Sequence, residues 1–216
     1  MSPKTLYQLS GLSLVLGALL LIIGLILNPV DTGVTTVKDP LIMTSSLLNF
    51  FGVLFTLLGL PGLFLRQSER AGLLGLLGML LSFFATGVLD GTHTVISFAV
   101  LPVLATSPAT AAQLGTLDTA IQQGLLGTLV AIGGPMILLG LLLLGIATLR
   151  ARVFPRWVGI VLIVVVPIIP LSFVVPILSN AGLELPYFAF AAAGFVLLTA
   201  RGFSQSRPAV QLEKAS

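Results

Sequence analysis

"GLFLRQSERAGLLGLL", residues 62–77, sets two arginines and a glutamate between two long apolar stretches. Uncharged sequence runs back from Arg66 to Leu41 and forward from Arg70 to Leu89. A bilayer core of roughly 30 Å is crossed by about 20 apolar helical residues, so each side is long enough for one crossing. Read as a short polar turn between two antiparallel membrane helices, this stretch supplies the plan for the whole chain.

Composition agrees. Of 216 residues, 56% are hydrophobic and 8% are charged, against about 25% charged in a soluble domain. Such a chain has too little polar surface to face water on all sides. The same scarcity of charge argues against nucleic-acid binding. There is no cysteine, which removes disulfides, thiolate catalysis and zinc–thiolate sites from consideration.

Charged residues divide the chain into six apolar spans, near 7–28, 41–65, 71–90, 122–148, 157–178 and 183–201. The expected fold is all-α: a polytopic six-helix bundle in one domain, 1–201, followed by a cytoplasmic tail, 202–216, expected to be disordered. Lys4 and the run that follows resemble a signal peptide, but the run is long and "LNPVDTG" is a poor cleavage site. It reads as a retained helix.

Lys and Arg set the orientation. Lys4, Arg66, Arg70, Arg150, Arg152, Arg156, Arg201, Arg207 and Lys214 fall on one side of a six-span plan, and Lys38 alone on the other. Both termini are therefore expected in the cytoplasm. The net charge of +3 is then a topogenic signal. Trp157, Tyr187 and Tyr7 fall where interfacial anchors would sit.

"LRARVFPRWVGIVL", residues 149–162, within six spans in about 200 residues, resembles a broad group of uncharacterised bacterial six-helix membrane proteins. The resemblance covers the hairpin plan of the chain. It implies a plasma-membrane location and carries no catalytic residues with it. "GLFLRQSERAGLLGLL" and "GIATLRARVFPRWVGIVL" share one plan, which any arginine-flanked inside hairpin would show.

Within the spans, Gly72, Gly75 and Gly78 and then Gly133, Gly134 and Gly140 suit close helix packing. Pro167, Pro170 and Pro176 should make the outer half of span 5 irregular. Between 91 and 121 the outer loop is long. A helix unbroken from Ala71 to Leu101 would run about 46 Å, so a break at Gly91 and an interfacial helix is the preferred reading. Ser107–Pro108 is a good helix start, and the outer face is expected to carry a short helical lid.

"TGVLDGTHTV", residues 86–95, carries the one unusual polar cluster. In a helix Thr86, Asp90, His93, Thr94 and Ser97 share a face. Span 2 brings Ser45 and Asn49 into the same leaflet, and spans 5 and 6 bring Ser172, Ser179 and Glu184. Nearly all strong polarity is thus expected in the outer half, with Ser45, Asn49, Thr86, Asp90 and His93 lining a pocket. Asp90 and His93 can be an acid–base or ligand pair, in which the carboxylate orients the imidazole. They can equally be the cap and first turn at a helix end. One histidine among scattered carboxylates makes a poor zinc shell, so no metal and no cofactor are expected.

The leading expectation is a non-catalytic membrane component: an accessory subunit, or a binder of lipid or another apolar molecule through that pocket. Its partners would be membrane lipids, and a protein partner or a second copy. A small transporter is one alternative, although such proteins place ionisable groups deep in the bundle. An enzyme using Asp90 and His93 at the outer surface is the other.

Overall fold

The computed structural model describes residues 3–27, 40–95, 106–109, 123–172, 174–175 and 179–199. Among them all but a few residues are helical: α1 (Pro3–Leu27), α2 (Pro40–Val95), α3 (Leu125–Ala151), α4 (Arg156–Ser172) and α5 (Ser179–Thr199). No strand occurs among the described residues.

The outward face shows what solvent these helices suit. On α1, Leu9, Leu12, Leu16, Leu19, Ile23 and Ile26 form an exposed stripe at alternating spacings of three and four. Leu14, Ala18 and Leu21 are buried on the other side. A helix apolar all round is either enclosed by protein or surrounded by lipid. Three described stretches, Lys4–Leu27, Pro40–Leu89 and Gly127–Ala151, are long and apolar enough to cross a membrane. Arg156–Leu171 and Pro186–Thr199 are shorter apolar helices.

α2 is one helix by hydrogen bonding but not one rod. Its backbone leaves helical geometry at Gly72 (φ 55°, ψ −149°), dividing it into a first arm, 40–71, and a second, 73–95. The reversal was expected across Arg66–Arg70, yet helix continues through all five residues. None of them is a Gly or Pro that would end it, and Ser68 Oγ donates back to the Leu65 carbonyl at 3.0 Å. The bend waits for a residue without a Cβ, because this backbone region is open essentially to glycine alone. The arms then fold together: residues of 50–57 lie across from Gly87, Gly91 and Thr92.

Successive helices pack side by side and α5 closes against α1, so the elements form a ring. Leu60, Leu141, Leu144, Leu162, Val165, Phe190 and Leu197 fill its centre. Without a hydrophobic gain from leaving lipid, small residues that let backbones approach are what such interfaces need. The approach is close. A Cβ on Gly78 would sit 2.5 Å from the Leu144 nitrogen, and one on Gly140 would sit 2.6 Å from the Ser82 nitrogen. A Cβ on Gly145 or on Gly159 would sit 2.9 Å from the other's carbonyl oxygen across α3 and α4. For Gly11 and Gly194, across α1 and α5, those distances would be 2.6 and 2.7 Å.

Several details differ from expectation. Helix passes through Gly91 as far as Val95, the last described residue of this stretch, since a glycine inside an otherwise continuous helix weakens it by only about 1 kcal/mol relative to alanine. α4 runs through Pro167 and Pro170 to Ser172. Both prolines are exposed. Pro176 lies outside the described residues. Helical backbone does start at Pro108, but the remainder of the expected lid lies outside the described residues, as does the tail 202–216. Tyr187 is no surface anchor: it is 8% exposed and meets Phe190 edge to face at 6.3 Å. Trp157 is half exposed.

Candidate functional site

Basic residues gather at one end of the ring. Arg66 lies over the Tyr7 ring, 5.7 Å from its centroid, joining the end of the first arm to the start of α1. Arg70 donates to the Ala151 carbonyl at 3.4 Å, joining that arm to the end of α3. The opposite end, where α1 finishes and the second arm passes Thr86, is where the sequence placed its pocket.

There the first arm shows two different faces. Ser45 is buried and its Oγ donates to the Ile42 carbonyl at 3.1 Å. The Ser45 carbonyl and Asn49 Oδ1 face Gly24 of α1. These two expected site residues therefore come together against α1. The neighbouring face carries Phe50, Val53, Leu54 and Leu57, which with Gly87, Gly91 and Thr92 of the second arm enclose a cleft of about 380 Å³. Gly87 and Gly91 supply bare backbone. A Cβ on Gly87 would meet only Leu57 Cδ1, at 3.7 Å, and one on Gly91 would meet nothing within 4 Å.

Thr86 is 3% exposed in the second arm. Asp90 and His93 lie on continuous helical backbone, which keeps them on the Thr86 face by the three-and-four spacing. Their side chains lie outside the described residues. Thr92, between them in sequence, is the polar side chain lining the cleft. The arrangement is an apolar slot with a hydroxyl at one edge. A slot of this size lies in the range of small-molecule pockets, roughly 300–1,000 Å³.

Sequence reading missed two polar features. First, buried polarity is not confined to one end. Gln67 is 1% exposed, and its Oε1 and Nε2 have no hydrogen-bond partner; the Thr56, Ser82 and Thr148 hydroxyls are also buried without one. Gln67 was read as part of a water-facing turn. Once helix continues past it, it falls on the buried face with Leu60, Leu63 and Ala71. Second, polar oxygens repeatedly face glycines on the next helix: Ser10 faces Gly62, Thr56 faces Gly17, Asn49 faces Gly24 and Ser82 faces Gly140. Of these four, the Thr56 and Ser82 hydroxyls are among those without a hydrogen-bond partner.

The arginine end also holds a cleft, of about 580 Å³, lined by Arg70, Arg150 and Arg152 with Ile146, Leu149 and Ala151. Arg152 closes α3 in the left-handed region (φ 54°, ψ 29°), its N–H donating to the Thr148 carbonyl at 3.3 Å.

No protein-family model, no curated protein and no solved structure matches the chain.

Proposed function

We propose that the chain is a multi-pass protein of the bacterial plasma membrane that holds a lipid or another apolar small molecule in the cleft between the arms of α2. It acts as a non-catalytic binder or accessory subunit. In this reading there are six crossings: α1, each arm of α2, α3, α4 and α5, with both termini cytoplasmic. The 50 residues of Pro40–Leu89 would extend about 75 Å as a straight helix, more than twice the hydrocarbon thickness, so two crossings with a bend at Gly72 suit them. The basic end then faces the cytoplasm, following the Lys and Arg bias.

The observation that carries the binding reading is the cleft's make-up. Phe50, Val53, Leu54 and Leu57 offer an apolar wall, and the glycines opposite leave room for a chain to lie against backbone. Thr92 at the edge, with Asp90 and His93 beside it in sequence, suits the polar end of an amphiphile.

Gly91→Leu tests this directly. Its Cβ meets nothing within 4 Å, so leucine can fill the cleft without forcing the helices apart. Exchanging glycine for leucine within a helix also favours helix by roughly 0.5–1 kcal/mol. Native mass spectrometry after mild detergent extraction should show a bound lipid or small molecule on the parent chain. In Gly91→Leu that occupancy should drop at least fivefold with helical content unchanged. Equal occupancy in both proteins would remove the cleft as the binding place.

A further inference from the structure

We propose that the Arg70–Arg150–Arg152 cleft is a binding site for the phosphate headgroup of an anionic phospholipid. The site rests on the membrane reading above but is separate from the cleft between the arms. Topogenesis asks only that basic residues lie on one side of the membrane. It does not ask them to converge. Here two come from the last turn and cap of α3, and the third from the end of the first arm of α2, and they share one cleft of about 580 Å³.

No described carboxylate neutralises their charge. Arg70 spends one N–H on the Ala151 carbonyl. Glu69, the one carboxylate side chain among the described residues, is exposed and pairs with none of the three. The C-terminus of α3 brings a partial negative charge of about one half. That is small against three guanidiniums, and part of it is already met where Arg70 and the Arg152 N–H take the Ala151 and Thr148 carbonyls.

Guanidinium is the side chain suited to phosphate, because its planar fork offers paired donors and it is only weakly hydrated. The rest of the lining decides between a lipid and a free ion. Ile146 and Leu149 stand on α3 one turn and less before Arg150 and Arg152, and they line the same cleft. The cleft is therefore cationic toward the helix ends and apolar toward the bundle. That gradient matches a phosphodiester with an acyl chain attached. Basic pockets between membrane helices on the cytoplasmic side recognise such headgroups.

Arg152 adds a sequence observation. The position after α3 takes a left-handed backbone (φ 54°) that glycine fills most easily, yet the chain, with 23 glycines, places arginine there. Arg152→Gly removes the charge and relaxes the backbone together, so a loss of binding in this variant is not a loss of fold.

The test is lipid retention by native mass spectrometry on the full-length protein, exchanged from detergent into mixed micelles of phosphatidylglycerol and phosphatidylcholine. The parent should retain phosphatidylglycerol over phosphatidylcholine by at least tenfold. Arg152→Gly and Arg150→Gln should each reduce that preference by roughly fivefold, the scale of one basic residue at an anionic surface, with melting temperature maintained in Arg152→Gly. Lys4→Gln, at the same end but outside the cleft, should leave the preference unchanged. No preference in the parent, or an equal loss in Lys4→Gln, would overturn the site. Displacement of the lipid by millimolar inorganic phosphate would overturn its assignment to a lipid and leave a free-anion site.

Discussion

Gly62 and Ser10 show how one atom decides the packing of two helices. A Cβ on Gly62 would overlap the Ser10 side chain, and the next atom in its way, Ser10 Cα, is 3.7 Å off. The obstacle is therefore a side chain and not the backbone. Gly62→Ala should destabilise the protein by about 1–3 kcal/mol, the usual cost of overpacking. Adding Ser10→Gly should recover most of that loss, because the methyl then occupies the space the hydroxymethyl left. Thermal unfolding in detergent of the two single variants and the double variant measures the coupling. Simple addition of the two single effects would mean the contact does not exist. Gly140 offers the contrast. There the nearest atom to a Cβ is the Ser82 backbone nitrogen at 2.6 Å, so no side-chain exchange across that interface relieves an alanine. These pairings were out of reach of the sequence. Spacing locates small residues on one helix but does not say which oxygen on another helix faces them.

At the scale of the element, α2 depends on Gly72 for its bend. No neighbour within 4 Å limits that position; the constraint is conformational, since φ 55°, ψ −149° is a region nearly restricted to glycine. Gly72→Ala should therefore cost about 1–3 kcal/mol although there is ample room for a methyl. Gly134→Ala is the matched control, also with nothing within 4 Å of its Cβ, but inside α3 with no positive φ, where alanine favours helix by about 1 kcal/mol. A fall in melting temperature for Gly72→Ala and none for Gly134→Ala would assign the effect to backbone conformation. Equal responses would refute it. The reversal between two apolar stretches was legible from Arg66 and Arg70, because their charge forbids a crossing there. Its location at Gly72 was not. The glycine was read as a packing residue of the following helix, since its spacing from Gly75 and Gly78 matches one. Spacing cannot distinguish a glycine needed for space from one needed for its dihedral angles. Gly91 was misread in the opposite direction, as a break, where helix simply continues.

At the scale of the whole molecule, what the sequence made legible is what solvent dictates. Apolar length and the scarcity of charge led to an all-helical chain with helices long enough to cross a membrane. The bias of Lys and Arg led to a basic end, and Arg66, Arg70, Arg150 and Arg152 are found there, held by Tyr7 and the Ala151 carbonyl or lining the cleft. The candidate pocket was less legible because it depends on which face of each helix turns to which neighbour. Asn49 and Phe50 are adjacent in sequence, yet one faces Gly24 of α1 and the other the cleft beside Gly87. An angular offset of 100° per residue is enough to separate them. The absence of any cysteine makes the proposed topology directly testable, because one introduced thiol is the only one present. Ser68 lies in the helix between Arg66 and Arg70, at the basic end, and is partly exposed. In sequence, Thr35 falls between the last residue of α1 and the first of α2. In intact cells Ser68→Cys should resist a membrane-impermeant maleimide and react only after permeabilisation, as should Ser204→Cys beyond α5. Thr35→Cys should react in both conditions. If Ser68→Cys is labelled from outside and Thr35→Cys is not, the basic end faces out and the orientation is inverted. If Ser68→Cys and Thr35→Cys both react without permeabilisation, the first arm of α2 does not cross the membrane, because both its ends then lie on one side. The six-crossing plan fails with it, since that arm connects the first hairpin of the ring to all that follows.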